Sequence, residues 1–172
     1  MRTDGEKQLF HTRLIWLAPA AYALHILEEA PRFADWVGAT LGGQMTFGGF
    51  AVNNAVFMAV LLALCAYAAV SRRALAHFAL FFWISAQLFW NFWFHWYTTA
   101  AFGAYSPGLV TATLLYYPLS LYLGYIGLRE RIIGVWALLM AVLGGGLLFG
   151  LVVWAGLYKF GPVPWCKWLL CA

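Results

Sequence analysis

Along this chain apolar residues neither alternate with polar ones nor keep to one helical face; they run on, broken only where charges, glycines and prolines gather. Runs of about 20 such residues are long enough to cross a hydrocarbon layer roughly 30 Å thick as helices. The pattern predicts about five spans, over residues 14–30, 50–70, 74–102, 109–128 and 132–158. Pro31 discourages continuation of the first span, and "SRR" at 71–73 ends the second. Pro107 and Gly108 punctuate the turn between the third and fourth. The Gly-rich stretch 31–49, with one arginine and one aspartate, reads as a loop or a helix lying in the interface. Three consecutive glycines at 144–146 predict close helix approach or a bend. The expected fold is all-α, a polytopic transmembrane helical bundle forming one integral membrane domain over residues 1–172.

Composition strengthens this reading. Hydrophobic residues make up 65% of the chain and charged residues 9%, against about a quarter charged in soluble domains, which leaves no room for a soluble domain. The net charge of +4 is not a nucleic-acid footprint, because the basic residues sit singly or in pairs at the ends of apolar runs. They act as topology signals. A cytoplasmic N-terminus puts Arg2, Lys7, Arg13, Arg72, Arg73, Arg129 and Arg131 inside and Arg32, Lys159 and Lys167 outside, so the expected orientation is N-in, C-out. Asp4 and Glu6 dilute the basic character of the N-terminus, and the first run is expected to remain as a helix rather than leave as a signal peptide. Cys65 reads as packing, whereas Cys166 and Cys171 can form a disulfide only if the tail bends suitably.

Ionisable residues interrupt the first run. His25, Glu28 and Glu29 stand at i, i+3 and i+4, on one helical face. Two mid-helix glutamates cost on the order of 5 kcal/mol in a bilayer, so they must face protein, water or an ion. The third run carries a matching stripe of Gln87, Asn91 and His95, continued by Thr98 and Thr99. Asn53 and Asn54 open the second run, and Thr113, Tyr116, Tyr117 and Ser120 lie at compatible spacings on the fourth. Counting at 1.5 Å per residue from Arg13, Arg72 and Arg73, the glutamates, Asn54 and Asn91 converge roughly 22 to 27 Å up, with His25 deeper at about 18 Å and His95 higher at about 33 Å. Tilt of the long third helix would bring His95 down. Plainer readings stand beside these. The first cluster would also serve as a buried hydrogen-bond network with Arg32 neutralising one carboxylate, Asn91 and His95 as interhelical glue, and Asn53 and Asn54 as a helix cap. Trp90, Trp93 and Trp96 read as belt or packing residues, and His11 and His77 as interfacial.

The segments "HILEE" (25–29), "NFWFH" (91–95) and "YSPGLVTA" (105–112) resemble the HXXEE-domain family of bacterial membrane proteins over roughly residues 14 to 125. The resemblance implies that His25, Glu28 and Glu29 are signature residues, and that Asn91, His95, Tyr105 and Pro107 are further matches. It supplies no chemistry and implies the bacterial inner membrane as the location.

The chemistry stays open between classes. One reading is a membrane-embedded enzyme acting on a lipid-soluble or small hydrophobic substrate that enters laterally from the outer leaflet. Its metal-assisted form uses His25, Glu28, Glu29 and His95 as the ligand supply for a single Zn or Fe ion, with one glutamate left as general base. Its metal-free form moves protons through Glu28, Glu29 and His25, with Asn91 and Tyr117 assisting and aromatic rings stabilising positive charge, as an isomerase or cyclase would. A proton- or cation-binding transporter subunit and a non-catalytic lipid-binding or assembly protein are the alternatives. Expected partners are membrane lipids, a lipid-like substrate and, in a homo-oligomer, further copies of the chain; nucleic acid is not among them.

Overall fold

The computed structural model describes residues 9, 10 and 13–163, and among these every regular element is helical. A tight turn at Leu14–Trp16 leads into α1, Leu17–Glu29. A short helix α2, Phe33–Trp36, runs into a single widened turn at Val37–Leu41. Four long helices follow: α3, Phe47–Ser71; α4, Ala74–Phe102; α5, Leu109–Arg129; and α6, Val135–Tyr158. His11 and the Cys166–Cys171 pair lie outside the described residues.

Among the described residues only these four are long and apolar enough to cross a membrane, against the expected count of about five. The first run fails on length: thirteen helical residues reach about 20 Å at 1.5 Å each. The stretch expected as a loop or interfacial helix contains α2, whose Phe33 and Trp36 pack with Phe50, Leu157 and Tyr158 in a small core at one end of the bundle. Local signals set the ends of the long helices. Thr46 caps α3 by accepting the Gly49 N–H at 3.0 Å. The left-handed Gly103 stops α4, and Arg72 and Lys159 end α3 and α6 in the same conformation.

α4 is the central post. α3 and α6 both pack along it, α5 packs on its middle, and α1 lies against α3 and α5. The glycine triplet makes the α4–α6 crossing close: a Cβ on Gly145 would lie 1.9 Å from Ser85 Oγ and 2.8 Å from the Phe82 carbonyl. At this crossing α4 widens into a π turn over Ser85–Trp90, and Ser85 and Trp90 donate to the carbonyls of Ala141 and Val142, each at 2.8 Å.

Much of the outer surface is apolar, while ionisable side chains are buried at one end of the bundle. Trp136 and Leu147 of α6 are each 78% exposed, while His25 and His95 are fully buried. Such a distribution suits lipid as the surrounding solvent, and the chain is a membrane protein.

Candidate functional site

The C-terminal ends of α1, α4 and α6 and the N-terminal ends of α3 and α5 share one end of the bundle, as their antiparallel order requires. His25 and Glu29 come from α1 at a spacing of four residues, and His95 comes from the last third of α4. Their side chains converge. Glu29 Oε1 is 3.4 Å from His25 Nε2 and 3.3 Å from His95 Nε2, and the two imidazoles meet edge to face with centroids 4.9 Å apart. The offset in depth expected between His25 and His95 is absent, since both imidazoles meet the same carboxylate oxygen.

Each histidine is held from behind. His25 Nδ1 lies 2.8 Å from Thr111 Oγ1, and His95 Nδ1 lies 2.8 Å from Ser106 Oγ. The Thr111 hydroxyl sits 2.5 Å from Glu28 Oε2 and 3.3 Å from the Gly108 carbonyl, so its proton belongs to the carboxylate. With that proton committed, Thr111 Oγ1 accepts from His25 Nδ1–H, a tautomer assigned from the hydrogen-bond network. The other ring nitrogen, His25 Nε2, therefore faces Glu29. Both Nε2 atoms are buried without a hydrogen-bond partner.

Adjacent glutamates thus have different surroundings. Glu28 points to the start of α5, where it accepts the backbone N–H groups of Val110 at 3.1 Å and Thr111 at 2.7 Å, the Thr111 hydroxyl, and the Tyr105 hydroxyl. Those N–H groups belong to the unpaired first turn of a helix, where a carboxylate is electrostatically favoured. Partial burial and the hydrogen bond to Glu28 push the Tyr105 hydroxyl up to about 12, so it stays a donor. Arg32, the expected counter-ion, is exposed and pairs with neither glutamate.

The loop between α4 and α5 closes over the cluster. Gly108 has φ +102, and a Cβ there would lie 2.7 Å from His25 Cε1, 2.8 Å from His95 Cε1 and 3.0 Å from Glu29 Cγ. Glycine is required both by the backbone angle and by the space. Ser106 is fully buried beneath this loop, and its N–H donates to Thr99 Oγ1 at 3.1 Å.

On its other side Glu29 opens onto a cavity of about 100 Å³. Asn53, Asn54, Gln87 and Asn91 line it with Tyr22, Trp83 and several phenylalanines. The polar stripes of the second and third runs therefore do converge on the glutamate. Asn54 is occupied, accepting from Tyr22 Oη at 2.5 Å and donating to the Phe50 carbonyl. Tyr117 does not join: its ring stacks on Phe92 at 4.4 Å, and it is absent from the cavity lining. Its neighbour Tyr116 lies 4.3 Å from the His25 ring instead. A π turn at Ala112–Tyr116 causes the shift, since its extra residue brings Thr111 and Tyr116 onto one face. Thr113 is exposed, and Ser120 bonds to the Tyr117 carbonyl.

Thr111, Ser106 and Gly108 are the site residues that spacing alone misses. All three lie in the quoted "YSPGLVTA" segment, but nothing in one-dimensional periodicity folds a loop back onto another helix. Cys65 is buried packing as expected, with Sγ 3.5 Å from the Ile15 carbonyl. His77 is buried rather than interfacial, since α4 turns it into the bundle.

His25, Glu29 and His95 each offer one ligand atom, all within 4.8 Å of one another. Neither the curated proteins nor the solved structures give a match to this chain. A motif whose histidine and second glutamate converge with a distant histidine, while its first glutamate caps another helix, gives physical meaning to the spacing in "HILEE". The chain belongs to the family described as proteins of unknown function with an HXXEE motif, which matches it over residues 16–123.

Proposed function

We propose that this protein is a membrane-embedded enzyme in which His25, His95 and Glu29 hold one divalent metal ion, with zinc the first candidate and iron the second. The observation that carries the reading is the pair of N···O separations, 3.4 and 3.3 Å. They exceed an ordinary N–H···O hydrogen bond. They match the edge, about 3.3 Å, of a tetrahedron with metal–ligand bonds of about 2.0 to 2.1 Å. Two buried Nε2 atoms without a hydrogen-bond partner and a carboxylate, all facing one another, supply the donor atoms that a bound cation uses. The hydroxyl partners on both Nδ1 atoms are the outer support that metal-bound histidines usually have.

Three protein ligands leave a fourth position, and Glu29 borders the cavity into which it would open. A metal there would polarise a substrate oxygen or acidify a bound water. Asn91 stands in the lining to orient the substrate. Glu28, saturated by its donors, serves as a positioning residue rather than as a ligand or base. A transport path finds no support, since the opposite half of the bundle is filled by residues such as Ile15, Leu61, Leu80, Phe81 and Leu123. The location we propose is the cytoplasmic membrane of a bacterium.

Metal analysis of purified protein loaded with Zn(II) tests the reading. Near-stoichiometric metal is expected in wild type and Glu28→Gln, and its loss in His25→Ala, His95→Ala and Glu29→Ala. Folded wild type that retains neither zinc nor iron would overturn the metal site and leave metal-free proton transfer between Glu29 and the histidines as the better account.

A further inference from the structure

The cavity beside Glu29 has an uneven chemistry. Seven aromatic side chains, Tyr22, Phe33, Phe50, Phe57, Trp83, Phe94 and Phe149, line it together with aliphatic residues of α6. Among them stand three side-chain amides, Asn53, Gln87 and Asn91, that make no hydrogen bond within the described protein. The Asn91 Oδ1 is moreover buried and unpartnered, a costly state for an acceptor unless a ligand supplies a donor. No arginine, lysine or histidine is among the lining residues, and the one charged group is Glu29. Lys159 is not in this lining: its Nζ turns to the Gly156 carbonyl at 2.9 Å, and it borders an adjoining surface depression that shares Met45 and Asn53 with the cavity.

The way in is lateral. α3 and α6 stand on either side of the cavity and pack on α4 rather than on each other. Phe33 and Met45 close it from the end of the bundle. Gly156 of α6 faces Asn53 across the cleft, with 3.9 Å between its Cβ position and Asn53 Nδ2.

We propose that this cavity takes the head of an uncharged amphiphile, an alcohol with a hydrocarbon tail, whose tail lies in the α3–α6 cleft and reaches the surrounding lipid. A hydroxyl both donates and accepts, which answers Asn91 Oδ1 and the free amides together. A carboxylate or phosphate head brings only acceptors and leaves Asn91 Oδ1 without a donor, and an ammonium head brings only donors, answers no amide N–H and would be repelled by a metal held at Glu29. The assignment rests on the reading that the His25–His95–Glu29 site acts on a molecule bound here, and it names that molecule's class.

Photolabelling of the full-length protein in lipid nanodiscs tests it, with diazirine probes that share one decyl chain and end in an alcohol, a carboxylate, a phosphate or an ammonium. The alcohol is expected to label the cavity walls of α3, α4 and α6 at least about tenfold more than any charged probe, because a head that only accepts or only donates leaves buried amide groups of the wall without partners. Excess decanol should compete. Gly156→Leu, whose side chain has room to grow into the cleft without disturbing the helix, should abolish the labelling; Asn91→Leu should weaken it. Equal or stronger labelling by a charged probe, labelling outside the cavity, or labelling unaffected by both substitutions would overturn the proposal. Cavity labelling by the alcohol in protein that binds no metal would support this assignment while the metal reading fell. Stoichiometric metal with no cavity labelling would overturn this assignment alone.

Discussion

At the scale of single residues, much of the cluster's geometry depends on Gly108 and Thr111, neither of which carries charge. Replacing Gly108 by alanine forces a side chain into a left-handed backbone, costing about 1–2 kcal/mol, and also drives a methyl group against both imidazoles and Glu29. Gly103→Ala is the matched control: its φ is +62, yet nothing lies within 4 Å of its Cβ position. Thermal unfolding in nanodiscs should fall in both variants, with metal retention lost only in Gly108→Ala. Thr111 links Glu28 to His25 through one hydroxyl. Thr111→Val keeps the shape and removes that link, leaving buried polar groups short of a partner at about 1–3 kcal/mol. Zinc affinity should drop about 10- to 100-fold, the usual effect of losing an outer hydrogen bond to a metal-bound histidine. Thr111→Ser should restore most of it, and competitive chelator titration reads both.

At the scale of elements, helix contacts are set by where the chain is thin. Gly145→Ala would press a methyl group on the backbone of α4, 2.8 Å from the Phe82 carbonyl and 3.0 Å from the Ala86 nitrogen. An overpacking penalty of about 1–3 kcal/mol is expected, measured as lowered thermal stability, whereas Gly150→Ala, with open space around it, should be neutral or slightly stabilising. The long helices were legible because hydropathy and terminal charges act along the chain. The third run, 74–102, coincides with α4, and the second and fourth differ from α3 and α5 only at their ends. The first run misled because its composition passes for a span while its helix is only thirteen residues long. Positions 25, 29, 91 and 95 were legible as polar residues at helical spacing. Tyr117 was misplaced by a π turn, which no hydropathy pattern records. Thr111 and Ser106 escaped because a hydroxyl at a helix start looks like a cap until the helix it faces is known.

At the scale of the whole molecule, the two ends of the bundle differ in charge. Arg13, Arg72, Arg73, Arg129 and Arg131 gather at the end opposite the site, against Arg32 and Lys159 at the site end. The positive-inside rule predicts that the cluster faces away from the cytoplasm. In a Cys166→Ser, Cys171→Ser background, with Cys65 buried, an impermeant maleimide should label Ala101→Cys on intact cells and Arg73→Cys only after permeabilisation. The reverse pattern would invert the orientation.

The reach of Glu28 across 82 residues to Val110 also bears on how the protein is made. While α3 and α4 are being synthesised, the partners that neutralise this carboxylate have not yet left the ribosome. A short segment bearing two glutamates has little reason to enter lipid alone, so α1 must wait at the membrane surface until α5 arrives. The HXXEE segment is thereby expected to settle only once the start of α5 has been made, long after its own synthesis, and the site cannot form in a chain that ends before Thr111.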